Sequence, residues 1–165
     1  MLCHALHIYD LPTRNHNDLL SLLDRLKTLI AVLAVVATIA VPGFSRLIQS
    51  NQLTVTANDL IGALNLARSE AIRRGGSVSV EPAGSFTEGY QITDADGNTL
   101  NSFDGARGDF FIALAQGNNP RFSATGMLVG STPSRFVICR VSGEDGVEIS
   151  ITAGGQIRSE RITCP

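Results

Sequence analysis

From Thr28 to Ser45 the chain reads TLIAVLAVVATIAVPGFS, a run without one charged side chain, entered through Asp24, Arg25 and Lys27 and left through Arg46. As a helix rising about 1.5 Å per residue it would extend about 27 Å, the short end of what crosses a bilayer core. A helix buried in a soluble core usually keeps a polar face, and this run has none. A cleaved secretory signal fits the apolar run and Lys27, but a long polar stretch precedes it and Val41-Pro42-Gly43 is a poor cleavage site. The run therefore reads as a lipid-compatible helix. Composition agrees: of 165 residues 44% are hydrophobic and only 17% charged, against about 25% charged in an average soluble protein.

Pro42 lies inside the run, where it removes one backbone hydrogen bond and bends the helix, with Gly43 adding slack. The helical pattern continues beyond it. Leu53, Ala57, Leu60, Ile61, Leu64, Ala67 and Ala71 recur three or four apart, with Asn58, Asn65, Arg68 and Glu70 on other faces. Arg73 and Arg74 oppose the negative end of the helix dipole, Glu70 is spaced to pair with Arg74, and Gly75-Gly76 supplies the stop. The expectation is one helix over 28–74, about 70 Å long, with its first half projecting from the domain.

After Gly76 the pattern changes to short β-type runs: SVSVE, GYQIT, NTLNSF, DFFIALA, RFSA, SRFVICRV, GVEISIT and GQIRSERIT. They predict an antiparallel meander whose face packs on the amphipathic half of the helix, an α+β domain. Asp94-Ala95-Asp96-Gly97-Asn98 has hairpin-tip chemistry, and its acidic residues do not follow calcium-loop spacing. The length suits one folded domain.

Several classes of function are excluded by inventory. Net charge is −2, which argues against a strongly basic nucleic-acid coat, and aromatics make up 5% with no tryptophan, thin material for a stacking platform. The three histidines, His4, His7 and His16, all precede the apolar run, so the domain has no Ser-His-Asp or Cys-His triad. Cys3, His4 and His7 lack a second ligand pair for a metal, and no phosphate-binding glycine loop is present. The chain reads as a non-enzyme with no cofactor.

The apolar segment TLIAVLAVVATIAVPGFSRLIQSNQ, the helix LIGALNLARSEAIRRG, the turn DADGN, then RFSATG, FVIC and ISITAGGQIRSERITC together resemble the minor pilins and pseudopilins of the GspH/FimT type, over residues 28–165. These are components of type II secretion and type IV pilus machines. The resemblance implies a pilin-like fold: an atypical polar leader over 1–27, a transmembrane and assembly helix over 28–45, and a periplasmic α+β domain over 46–165. One departure stands out. The family's cleavage-site glycine, phenylalanine and Thr-Leu-Ile-Glu are absent: counting back from Pro42 puts Leu20, Ser21 and Arg25 at the glycine, first mature and glutamate positions. Alternatively Thr28-Leu29-Ile30 is the tripeptide, followed by Ala31 in place of glutamate. The expectation is that the start of the gene is altered here.

The resemblance further implies that Cys139 and Cys164 form a disulfide, the alternative being two buried thiols, and that Leu29, Ile30, Leu33, Val36, Ile39, Pro42 and Phe44 form the assembly helix. The implied partners are other minor and major pilins or pseudopilins and the inner membrane, the subunit helping to initiate or cap a short fibre. Some FimT-type relatives take up DNA through a Gly-Arg-x-Arg motif. Here Gly155-Gln156-Ile157-Arg158 lacks the first arginine, and Arg140, Arg158 and Arg161 are candidate phosphate contacts opposed by Glu144, Asp145, Glu148 and Glu160. A third alternative is a membrane-anchored periplasmic domain that binds a protein without entering a fibre.

Overall fold

The computed structural model describes the backbone of residues 16–165 and, apart from 16–20, 39 and 42, their side chains. The first part of the leader, including Cys3, His4 and His7, lies outside the described residues. The chain divides into two compact units, Met1–Ser45 and Arg46–Pro165. Helix α1 spans His16–Arg74. It thus begins well before Thr28, where the sequence places the start of the helix. The stretch NDLLSLLDRLK has five leucines with Arg25 and Lys27 and no glycine or proline, so strong helix formers outweigh Asn17, Ser21 and the two aspartates. The helix also continues through Pro42 without interruption.

In the second unit α1 buries Leu53, Thr56, Ala57, Leu60, Ala63, Leu64, Ala67 and Ala71, a stripe at helical spacing. Four alanines in it let the sheets approach the helix backbone closely. Thr56 and Ala63 extend the face expected from the sequence, while Ile61 is only partly covered. Thr56 is buried because its hydroxyl accepts the backbone N–H of Arg107 at 3.1 Å, a partner no local pattern reveals. At the end of the helix Gly75 N–H donates to Ile72 O and Gly76 N–H to Ala71 O. With Gly75 at φ 68°, this is the Schellman arrangement that glycine makes strain-free. Glu70 pairs with Arg74 at 2.8 Å, as the spacing predicts, and also with Arg73.

Eight strands follow: β1 Val78–Ala83, β2 Ser85–Asp94, β3 Thr99–Asp104, β4 Phe111–Gln116, β5 Arg121–Phe122, β6 Ser134–Cys139, β7 Asp145–Ile151 and β8 Ile157–Thr163. Each lies within or overlaps a run expected from the sequence. The topology is not one meander, however, but two four-stranded antiparallel sheets, ordered β3-β2-β1-β5 and β4-β6-β7-β8. The break follows β3. Ala106 N–H bonds to Thr87 O and Arg107 N–H to Thr56, so the chain crosses over helix and β2 instead of turning back beside β3. A hydroxyl links the sheets: Thr87 Oγ1 donates to Ile112 O at 3.2 Å and accepts Ile112 N–H at 3.0 Å. Between β4 and β6 the chain returns to the first sheet as β5, which pairs with β1, Val78 opposite Phe122.

Both sheets and the helix share one core, in which Tyr90, Phe122, Phe136, Ile92, Ile138 and Ile149 are almost fully buried. Phe86 of β2 meets Phe136 of β6 edge-to-face at 4.9 Å, so an aromatic contact ties the sheets together. Burial raises the Tyr90 hydroxyl pKa well above its ordinary value, helped by the nearby Asp59 charge.

Candidate functional site

Three regions carry the residues that the sequence singled out. In the apolar run Leu29, Ile30, Leu33, Val36 and Phe44 are all exposed, Phe44 by 67%. Ile39 and Pro42 have no described side chains. The most apolar window of this helix reaches a mean hydropathy of 2.2, with none of it buried. Its polar side chains are Thr28, Thr38 and Ser45, and each hydroxyl donates back to a helix carbonyl: Thr28 to Asp24 O, Thr38 to Val35 O and Ser45 to Val41 O. With its hydroxyl protons satisfied inside the helix, the segment presents almost pure hydrocarbon outward, as a lipid or helix-bundle environment requires.

The second region is the disulfide between Cys139 and Cys164, whose Cα atoms are 5.9 Å apart. It joins the end of β6 to the residue after β8, and both cysteines are buried. Gly146 of β7 passes directly beneath: a Cβ there would lie 2.5 Å from Cys164 Sγ and 2.8 Å from Cys139 Sγ. Nothing in the β-type run that this glycine opens requires a glycine there, and only the bridge explains it.

The third region is a cleft of about 470 Å³ at the start of the second unit. Arg46 and Gln49 of α1, Arg140 and Glu144 of the β6–β7 turn, and Asp145 and Arg161 line it, over Leu53 and Phe110. Arg140 Nη2 bonds to Glu144 Oε1. Of the DNA candidates, Arg140 and Arg161 thus converge, joined by Arg46, which no motif in the sequence singles out. The signal available was its place directly after the apolar run. Arg158 does not join them. It stands three residues from Arg161 in a strand, hence on the opposite face. Arg161 lies opposite the buried Val147, on the helix side, and Arg158 opposite Ser150, on the outer side. There Glu148 faces Glu160 across the strands, and Arg135 pairs with Glu148 at 3.3 Å.

The hairpin tip is a hydrogen-bonded turn. Asp94 Oδ1 accepts the backbone N–H groups of Asp96 and Asn98, and the Asn98 amide is the main cause holding the Asp94 carboxyl below its ordinary pKa. No group of metal-ligating side chains occurs among the described residues. Arg68, from the LARSEAIRRG stretch, donates through Nε to Gly126 O at 2.9 Å. This docks the turn after β5 on the helix.

A long helix with an exposed apolar half, packed through its other half on antiparallel sheets closed by a C-terminal disulfide, defines a pilin-type structural subunit. The family model described as Type II transport protein GspH matches residues 56–155. Among solved structures, the type IV minor pilin FimU of Pseudomonas aeruginosa is similar in two crystal forms at 28% identity. The TM-scores are 0.61 and 0.58, covering 68% and 66% of this chain and 90% and 92% of FimU. The minor pseudopilin EpsH from the type 2 secretion system of Vibrio cholerae shares the fold, with a TM-score of 0.53 at 16% identity over 66% of this chain and 96% of EpsH. No curated protein sequence matches significantly. The chain belongs to the GspH family, whose model spans well over half of it.

Proposed function

We propose that the protein is a minor subunit of a type II secretion pseudopilus or a type IV pilus, anchored in the inner membrane by residues 28–45 with residues 46–165 in the periplasm. On this reading the subunit leaves the bilayer by placing Leu29, Ile30, Leu33, Val36 and Phe44, with Ile39 and Pro42, among the corresponding helices of other pilins. The head meets neighbouring minor subunits, and the subunit helps to initiate or cap a short fibre. The observation that carries the reading is the apolar run itself: an exposed hydrocarbon surface whose three hydroxyls donate inward, followed in the same helix by a one-sided face covered by a sheet-bearing head. Such a helix exchanges lipid contacts for helix contacts at little cost, because both surroundings are apolar.

A DNA-uptake role has less support. Gln156 stands in place of the first motif arginine, and Arg158 and Arg161 point to opposite faces of β8. The test is Val36→Asp in the native host, followed by membrane fractionation and co-purification with pilin partners. A carboxylate at the centre of a spanning helix costs about 3 kcal/mol, so membrane retention and partner recovery should both be lost. Unchanged fractionation would contradict the placement of this helix in lipid.

A further inference from the structure

We infer that the arginine-lined cleft at the start of the head binds the phosphate of an anionic phospholipid headgroup. The inference rests on the membrane anchoring proposed above. The cleft takes its cations from three separate elements: Arg46 on α1, Arg140 after β6 and Arg161 on β8. Against these stand two carboxylates, Glu144 and Asp145. Among the described residues the only pair within salt-bridge distance in the cleft is Arg140 with Glu144. Arg46 and Arg161 have no acidic partner within 4.0 Å among the described residues, and the cleft is left with net positive charge. The Arg140 guanidinium spends Nη2 on Glu144, and its other N–H donors stay available. Planar guanidinium groups facing one space suit a tetrahedral oxyanion better than a single lysine would.

Leu53 and Phe110 close the cleft from beneath as core side chains that show it little surface. One further feature selects a lipid over other phosphates, the place of the cleft itself. Its position is set by the chain itself, since Arg46 is the residue after Ser45, where the uncharged run ends. At about 1.5 Å per residue, Arg46, Gln49 and Ser50 lie within roughly 7 Å of that end, the depth of one headgroup layer. If residues 28–45 span the hydrocarbon core, the cleft opens where lipid phosphates are concentrated. Arg158, on the far face of β8, takes no part.

The test uses the full chain in nanodiscs of phosphatidylcholine, alone or with phosphatidylglycerol added. Lipid retained after release into mild detergent is counted by native mass spectrometry. The wild-type protein should keep phosphatidylglycerol in preference to phosphatidylcholine, and Arg46→Gln and Arg161→Gln should each lower that retention about tenfold, the loss of one charge-assisted hydrogen bond. Arg121→Gln, outside the cleft, should retain it as the wild type does. Soluble glycerol 3-phosphate should not displace the lipid; displacement would reassign the cleft to a free phosphate and overturn the inference. Equal retention of both lipids, or variants indistinguishable from wild type, would overturn it while leaving membrane anchoring intact. Failure of the wild type to enter nanodiscs at all would instead sink the anchoring, and this inference with it.

Discussion

Replacing both Cys139 and Cys164 by alanine removes the covalent link that closes the last strands. The bridged residues are 25 apart in sequence, and the chain-entropy model assigns a loop of that size about 3.5 kcal/mol of stabilisation, exerted mainly on the unfolded chain. For a urea dependence of about 1.5–2 kcal/mol per molar, the unfolding midpoint should fall by about 2 M. The assay is urea unfolding of the full chain in mild detergent, followed by tyrosine fluorescence, with the reduced wild type as a second measure of the unbridged state. The loss should also be uneven in space. β8 is an edge strand paired only with β7, and most of its side chains are exposed, so the bridge is its main tertiary tether at the C-terminal end. Amide exchange over residues 157–163 should therefore accelerate more than exchange over β6. A midpoint lowered by less than about 0.5 M, or β8 amides as protected as before, would refute the claim that the bridge and not packing holds this strand.

The remaining predictions concern backbone fit and pH, alongside the Val36 and cleft experiments above. Gly155 sits at φ +76°, and a Cβ there would lie 2.0 Å from Gly126 O, the carbonyl that Arg68 engages. Gly155→Ala should cost about 2–3 kcal/mol and lower Tm by roughly 10 °C, whereas Gly62→Ala, with open space around it on the helix, should be neutral or stabilising. Thermal scans of the two variants check this, and equal Tm values would count against the packing of the two turns. The Glu70 carboxyl is held below its ordinary pKa by Arg73 first and Arg74 second. A lowered folded pKa contributes stability above the unfolded value and loses it as pH falls through the folded one. The head should therefore weaken on acidification below about pH 4, and Glu70→Gln should flatten that part of the Tm-against-pH curve; an unchanged acid limb would show the pairs to be energetically silent.

What the sequence determined by itself was everything governed by neighbours along the chain. The apolar run needs only composition to be recognised, and the helix stop at Gly75-Gly76 needs only a residue free to adopt positive φ. The Glu70–Arg74 pair follows from helical periodicity, and the Asp94–Asn98 turn from the capacity of an aspartate to accept its own backbone N–H groups. All eight strands were visible for the same reason. Which strand pairs with which was decided elsewhere: the exchange of a meander for two sheets depends on Arg107 N–H finding Thr56 and on Thr87 bridging to Ile112, contacts between residues far apart in sequence. Long-range pairing also explains Gly146, whose hydrogen side chain answers to the two sulfurs of the bridge. The arginines teach the same lesson: linear spacing grouped Arg140, Arg158 and Arg161, but the alternation of β8 turns Arg158 away and the fold supplies Arg46 in its stead. Propensity and periodicity act over one turn or one strand, while a site is assembled by whatever the core brings within reach of a side chain.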